Sequence, residues 1–169
     1  MTSNKLAFIG GSGIYKLDIL SEVIEHDLIS SFGQPSSKIL EGQINGNSIF
    51  FLSRHGVGHR LAPSEINYRA NIECLKQLGV TDIISLSAVG SLKEDLDPGT
   101  FVIVDQFIDR TINRNKTFFE NGIVAHVPMA EPTNKILMNI SKDILKSLNI
   151  KHSFGGTYLA MEGPQFSSK

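Results

Sequence analysis

Hydrophobic and polar positions follow two rhythms along this chain, and their alternation predicts the order of its elements. The apolar run Leu6 to Ile9 reads as a short buried strand that enters the glycine turn "GGSG". "SKILEGQINGNSIFFLSRHG" reads as two strands joined at "NGN", a hairpin signal. Residues 64–78 suit a helix: Ser64 can cap it, Ile66, Ala70, Cys74 and Leu78 recur every four positions, and Gly79 stops it. "TDIISLSAVGS" predicts a strongly apolar strand ending in small residues, and "DPGTFVIVDQFI" a turn followed by one more buried strand. Residues 133–148 predict a second amphipathic helix, capped by Thr133, with Ile136, Leu137, Ile140, Ile144, Leu145 and Leu148 on one face. "SFGGTYLAMEGPQF" returns to strand. Apolar strands without clean alternation, mixed with helices, imply an α/β protein with a largely buried sheet.

Ligands in such folds bind at the carboxyl ends of strands. Three segments hold that position: "GGSG" after the first strand, "SRHG" after the hairpin and "SAVGS" after the central strand. Gly10 to Gly13 would let backbone N–H groups approach an anion, with the Ser12 hydroxyl as a further donor; a plain turn needing positive φ explains the glycines equally well. The segment is no dinucleotide fingerprint, since the third glycine is missing, and no P-loop, since no GK[ST] follows. In "SRHGVGHR", Arg54 could hold phosphate bidentately with His55 as a second donor. His55 and His59 could instead bind a metal, but no Cys or carboxylate lies nearby as a third ligand. A solvated basic loop is the plain alternative; the glycines and the apolar strand before them favour an anion site. Ser87, Ala88 and Gly90 are small enough for a ligand to lie against the backbone, and Ser87 Oγ could meet an oxyanion; close helix packing would need the same small residues.

Composition narrows the partners. A net charge of -1 over 169 residues argues against a nucleic-acid binder that relies on a broad basic surface. The single cysteine, Cys74, permits no internal disulfide and fits a reducing cytoplasm; its place on the helix face reads as core. The N-terminus lacks the apolar region of a signal peptide, and no run is long enough to span a bilayer. The length suits one domain. The chain stops at "EGPQFSSK", just after a Gly-Pro turn signal, so it is expected to be a fragment of a longer protein. His26 and His152 read as structural, His126 before its Pro-rich turn as a surface or capping residue, and Glu94, Asp95 and Asp97 as a solvated turn.

The stretches "IGGSGIY", "FGQPSSKILEGQING", "SRHGVGHRLAPSEINYRANI", "SAVGSLKEDLDPGTFVIVDQFIDRT", "HVPMAEP" and "EGPQFSS" stand in one order over nearly the whole chain. Together they resemble the trimeric purine nucleoside phosphorylases, and most closely their S-methyl-5'-thioadenosine phosphorylase branch. The resemblance implies a mixed sheet flanked by helices, the phosphorylase/hydrolase-like nucleoside phosphorylase fold, with residues 1–169 as the N-terminal portion of a single domain. It implies phosphorolysis of S-methyl-5'-thioadenosine to adenine and 5-methylthioribose 1-phosphate, a step of purine and methionine salvage. Inorganic phosphate would be the co-substrate, with no cofactor and no metal. By the same resemblance Ser12, Arg54, His55, Ser87 and Ala88 would hold phosphate. Phe166 would pack on the purine, Ser167 would bear on substrate choice, and His126 would reach the sugar pocket of a neighbouring subunit, which revises its plain reading. A homotrimer or dimer of trimers in the cytoplasm is expected, with no nucleic acid and no membrane as partner.

Two departures from the family pattern matter. Gln165 stands where the family has arginine in "GPRF", which removes a charge. The family also continues past this point, and the absent part would carry a methionine–threonine pair and the acidic or amide groups that recognise the base. A polypeptide of residues 1–169 is therefore expected to be inactive and poorly stable, with an uncovered sheet edge. Paired aspartates in that part would favour 6-aminopurines, whereas an Asn with a Glu would favour 6-oxopurines such as inosine or methylthioinosine. A non-catalytic purine- or phosphate-binding module is the alternative of another class; a dinucleotide oxidoreductase is disfavoured by the incomplete glycine pattern.

Overall fold

The structure, a computed structural model, describes residues 4–11 and 20–165. It divides into two compact units, residues 1–88 with 163–169 and residues 89–162.

The first unit is built on a five-stranded mixed sheet in the order β2-β3-β4-β1-β5. Its strands are β1 (Leu6–Gly10), β2 (Ser21–His26), β3 (Ile39–Ile44), β4 (Asn47–Ser53) and β5 (Asp82–Leu86). β3 and β4 form the expected hairpin, with Ile44 opposite Asn47. Asn45 and Gly46 both have positive φ, at 50° and 77°. That is the two-residue turn whose twist matches paired strands. β1 lies between β4 and β5 and runs parallel to both. The antiparallel edge strand β2 was not expected: its residues from Ser21 to Glu25 are exposed, and Glu22 at φ 51° interrupts its register with β3.

Helix α1 (Tyr68–Gln77) packs its Cys74 and Leu75 into the core formed with Ala7, Ile39, Phe50 and Leu52, and its Ala70 is buried as well. Ser64 is not its cap. Ala62 and Glu65 close a turn of their own, Glu65 N–H donating to Ala62 O at 2.9 Å and Ala62 N–H to Glu65 Oε2 at 2.7 Å. The helix starts after it, where Asn67 Oδ1 accepts Ala70 N–H at 3.1 Å. At the other end Gly79, at φ 77°, lets Val80 N–H reach Leu75 O and its own N–H reach Lys76 O. This is the glycine-terminated close that satisfies a helix's last carbonyls.

The second unit holds β6 (Phe101–Ile103), β7 (Gln106–Arg110), α2 (Lys135–Ser147), β8 (His152–Phe154) and β9 (Thr157–Met161). The single buried strand expected over residues 101–108 is two, paired as β6 with β8 and β7 with β9, both parallel. The break falls where Asp105 N–H and Gln106 N–H both turn to Gly156 O, and the facing chain bends through Gly155 and Gly156 at φ 86° and 149°. Burial also differs from expectation, since Phe101 and Ile108 are each 51% exposed. α2 begins one residue later than expected: Asn134 Oδ1 accepts Ile136 and Leu137 N–H, while Thr133 Oγ1 donates to Asp105 O.

Candidate functional site

The parallel register of the first unit decides which loops meet. Gly10 stands opposite Ser53 on one side and Leu86 on the other, so β1, β4 and β5 end level. Gly11, Arg54 and Ser87 then leave the same edge side by side. The expected convergence of the three strand ends is observed for these residues. Ser12 and the rest of the "GGSG" turn lie outside the described residues, as do Phe166 and Ser167.

Arg54 joins the three ends. Its backbone N–H donates to Gly10 O at 3.0 Å, which extends the β1–β4 ladder by one bond. Its Nη1 donates to Leu86 O at 2.8 Å, the last residue of β5. Its Nη2 lies against the Gly11 backbone so closely that a Cβ on Gly11 would stand 2.8 Å away. A side chain on Gly11 would therefore displace the end of the guanidinium from this place. Among the described residues Nη2 donates to nothing. An always-charged group is thus fixed at the carboxyl edge of a sheet with one nitrogen uncommitted among the described residues.

His55 is 8% exposed. Its Nδ1 lies 2.9 Å from Leu61 O, and its Nε2 lies 3.2 Å from Arg54 Nε. Burial pushes its imidazolium pKa below the usual histidine value; the hydrogen bond to Leu61 O opposes that shift, and the charges of Arg54 and His59 add to it. The backbone folds back around the ring: Leu61 N–H donates to His55 O at 2.9 Å. His59 stacks on His55 with ring centroids 4.2 Å apart. The turn between the two histidines needs glycine at Gly56, which has φ 73° and where a Cβ would stand 3.1 Å from Ser36 O. The Arg60 side chain lies over the same glycine, 3.0 Å from that Cβ position. His59 and Arg60 thus shape the loop from outside, whereas Arg54 and His55 form its inner face.

Ser87 and Ala88 follow β5 directly and are exposed. Gly163 to Gln165 also belong to this unit, where Gly163 packs against Pro63. His126 belongs to the second unit, in the irregular stretch before α2, and is exposed. His26 has a partner that its sequence context did not reveal, Glu41 at 2.7 Å across the β2–β3 pair. Cys74 is buried, as its helix face implied. Among the described residues no three His, Cys, Asp or Glu side chains gather as a metal site, and no helix is long and apolar enough to cross a membrane. Sequence reading did not single out Leu61 or Leu86, the residues whose carbonyls hold His55 and Arg54. A backbone acceptor leaves no mark on residue type.

The chain is similar to known proteins over nearly its whole length. The chain is 56% identical over 163 residues to the S-methyl-5'-thioadenosine phosphorylase of Rhodospirillum rubrum, covering 96% of this chain and 55% of that one. It is 51% identical over 164 residues to that of Saccharolobus solfataricus, covering 97% and 61%. It therefore spans little more than half the length of these curated relatives. Among solved structures, the methylthioadenosine phosphorylase of Schistosoma mansoni in complex with tubercidin superposes with a TM-score of 0.93 at 35% identity, over 98% of this chain and 67% of that one. A methylthioadenosine phosphorylase from an antarctic soil metagenomic library gives 0.92 at 44% identity, over 99% and 60%. Residues 5–169 match the model of the phosphorylase superfamily, and the chain belongs to that superfamily.

Proposed function

We propose that the intact protein carries out phosphorolysis of S-methyl-5'-thioadenosine. Inorganic phosphate attacks the anomeric carbon, the bond to the purine nitrogen breaks, and adenine and 5-methylthioribose 1-phosphate are formed. The observation that carries this reading is the Arg54 guanidinium, fixed at 2.8 Å from Leu86 O where three parallel strands end, in a chain 56% identical to a protein of that name. Arg54 supplies the charge that keeps a phosphate dianion at the strand ends, with Ser12, Ser87 and Ala88 as further contacts and His55 in the same loop. Phe166, Ser167 and His126 serve the purine and sugar, the last in a neighbouring subunit of a homotrimer or dimer of trimers in the cytoplasm. Positioning the nucleophile, and placing its negative charge beside an oxocarbenium-like transition state, is the chemistry such a site offers. No cofactor or metal takes part; phosphate is a substrate.

The test is phosphate-dependent release of adenine from methylthioadenosine by the intact protein, followed by absorbance. Release of hypoxanthine alone, from methylthioinosine or inosine, would mean a 6-oxopurine enzyme. Tight nucleoside binding without turnover would mean a binding module. Arg54→Ala should raise the phosphate KM far more than Arg60→Ala, and Gly11→Ala should act in the direction of Arg54→Ala by displacing Nη2. Equal effects at positions 54 and 60 would remove Arg54 from its assigned role.

A further inference from the structure

We infer that the His55 imidazole acts on phosphate only through Arg54: the ring positions the guanidinium and is not itself a second anion donor. The inference rests on the phosphate reading of this loop and sharpens it.

The partners of the ring decide its protonation. Leu61 O, 2.9 Å from Nδ1, is a carbonyl and can only accept, so Nδ1 carries the hydrogen. Arg54 Nε, 3.2 Å from Nε2, is always protonated and can only donate, so Nε2 presents its lone pair. Both bonds together require the neutral Nδ1–H tautomer. A donor to phosphate would need hydrogen on Nε2, and that hydrogen would point at the Arg54 N–H. The ring is closed in on a face as well, by His59 stacked at an interplanar angle of 18°. Its depressed pKa agrees with a ring that stays neutral beside a fixed cation.

The consequence falls on Arg54. His55 holds Nε and Leu86 O holds Nη1, so two of the three guanidinium nitrogens are committed to the protein. The plane of the fork is thereby fixed, and Nη2, beside Gly11 and with no partner among the described residues, is the nitrogen left to meet an anion. A guanidinium without His55 keeps its charge and loses its aim. Chain closure around the ring, by the paired bonds of His55 and Leu61, makes the loop the mount for that fork.

Two measurements on the intact protein test this. With ¹⁵N-labelled histidine, long-range ¹H–¹⁵N spectra should show His55 as the Nδ1–H tautomer, unchanged at saturating inorganic phosphate. Hydrogen on Nε2, before or after phosphate is added, overturns the inference, and this reading needs no variant to fold. In calorimetric titration with inorganic phosphate, H55F should weaken binding by about ten- to a hundredfold, the range for a bond to a charged group. In an R54A background the same change should cost less than about twofold, because a residue acting through another adds nothing once that one is gone. An equal loss in both backgrounds overturns the inference. An intact protein that binds no phosphate sinks the reading of the site and this inference with it; one that binds phosphate through an Nε2–H sinks the inference alone.

Discussion

The two helices of this chain are made by the same local code and end in different surroundings. Each starts at an asparagine whose Oδ1 accepts N–H groups of the first turn, Asn67 for α1 and Asn134 for α2. Each ends with a residue at positive φ, Gly79 or Asn149, whose N–H groups close back on the last carbonyls. Yet α1 buries Ala70, Asn71, Cys74 and Leu75, while α2, the more amphipathic of the two, buries no residue and leaves Ile136 71% exposed. α1 lies on a five-stranded sheet with Phe50 and Ile39 beneath it; α2 meets one short parallel pair, β6 with β8. Caps and periodicity decide that a helix forms. Only the element behind it decides how much its apolar face contributes to stability.

The largest effects should therefore fall in the first unit. Phe50→Ala removes a ring that is 1% exposed and should cost about 3–5 kcal/mol. Leu75→Ala, at 0% exposure, should cost about 2–5 kcal/mol. Denaturant unfolding measures both, and a loss below about 1 kcal/mol in either would mean that the core lies elsewhere. Next comes the buried polar clamp on the same helix. Asn71 Oδ1 accepts Ser36 N–H at 2.8 Å and its Nδ2 donates to Ser36 Oγ at 3.0 Å. Asn71→Ala leaves a buried N–H unpaired and should cost about 1–3 kcal/mol.

The caps sharpen the comparison at its local end. Asn134→Ala should cost about 1 kcal/mol, the usual value of an N-cap. Asn67→Ala should cost more, by about 0.5–1.5 kcal/mol, because Asn67 Nδ2 also donates to Phe32 O at 2.7 Å, a contact outside its helix. Equal losses at the two positions would show that the Phe32 contact contributes nothing.

What could be read from the sequence divides along the same line. The hairpin, β1, β5 and both helices were legible because Asn45–Gly46, the apolar runs and the four-residue repeat are local signals. The helix starts were misplaced because Ser64 and Thr133 are good caps in type, and only the Ala62–Glu65 turn and the Asp105 carbonyl take them elsewhere. β2 was missed because its residues through Glu25 face solvent and carry no core pattern. The split of residues 101–110 could not be seen in that segment alone, since its cause, the Gly155–Gly156 bend, lies some fifty residues away on the partner strand. At the strand ends, the place of Arg54 was legible because it directly follows the apolar run that forms β4. The tautomer of His55 was not, because Leu61 O and Arg54 Nε fix it only once the chain has folded.

The smallest change is expected at Ile140, in the middle of the α2 face. Its side chain is 49% exposed, so truncation forfeits only part of a transfer term that is itself modest. Against that loss, alanine is the better helix former by a few tenths of a kcal/mol, since a β-branched chain gives up rotamer freedom in a helix. The two contributions oppose, and Ile140→Ala should change stability by no more than about 0.5 kcal/mol, a surface value. Unfolding of the intact protein measures it against Leu75→Ala in the same buffer. A loss above about 2 kcal/mol is the price of a core residue, and it would break the comparison: the α2 face would then be covered in the intact protein, and the two helices would differ in which polypeptide packs on them and not in how deeply they are buried.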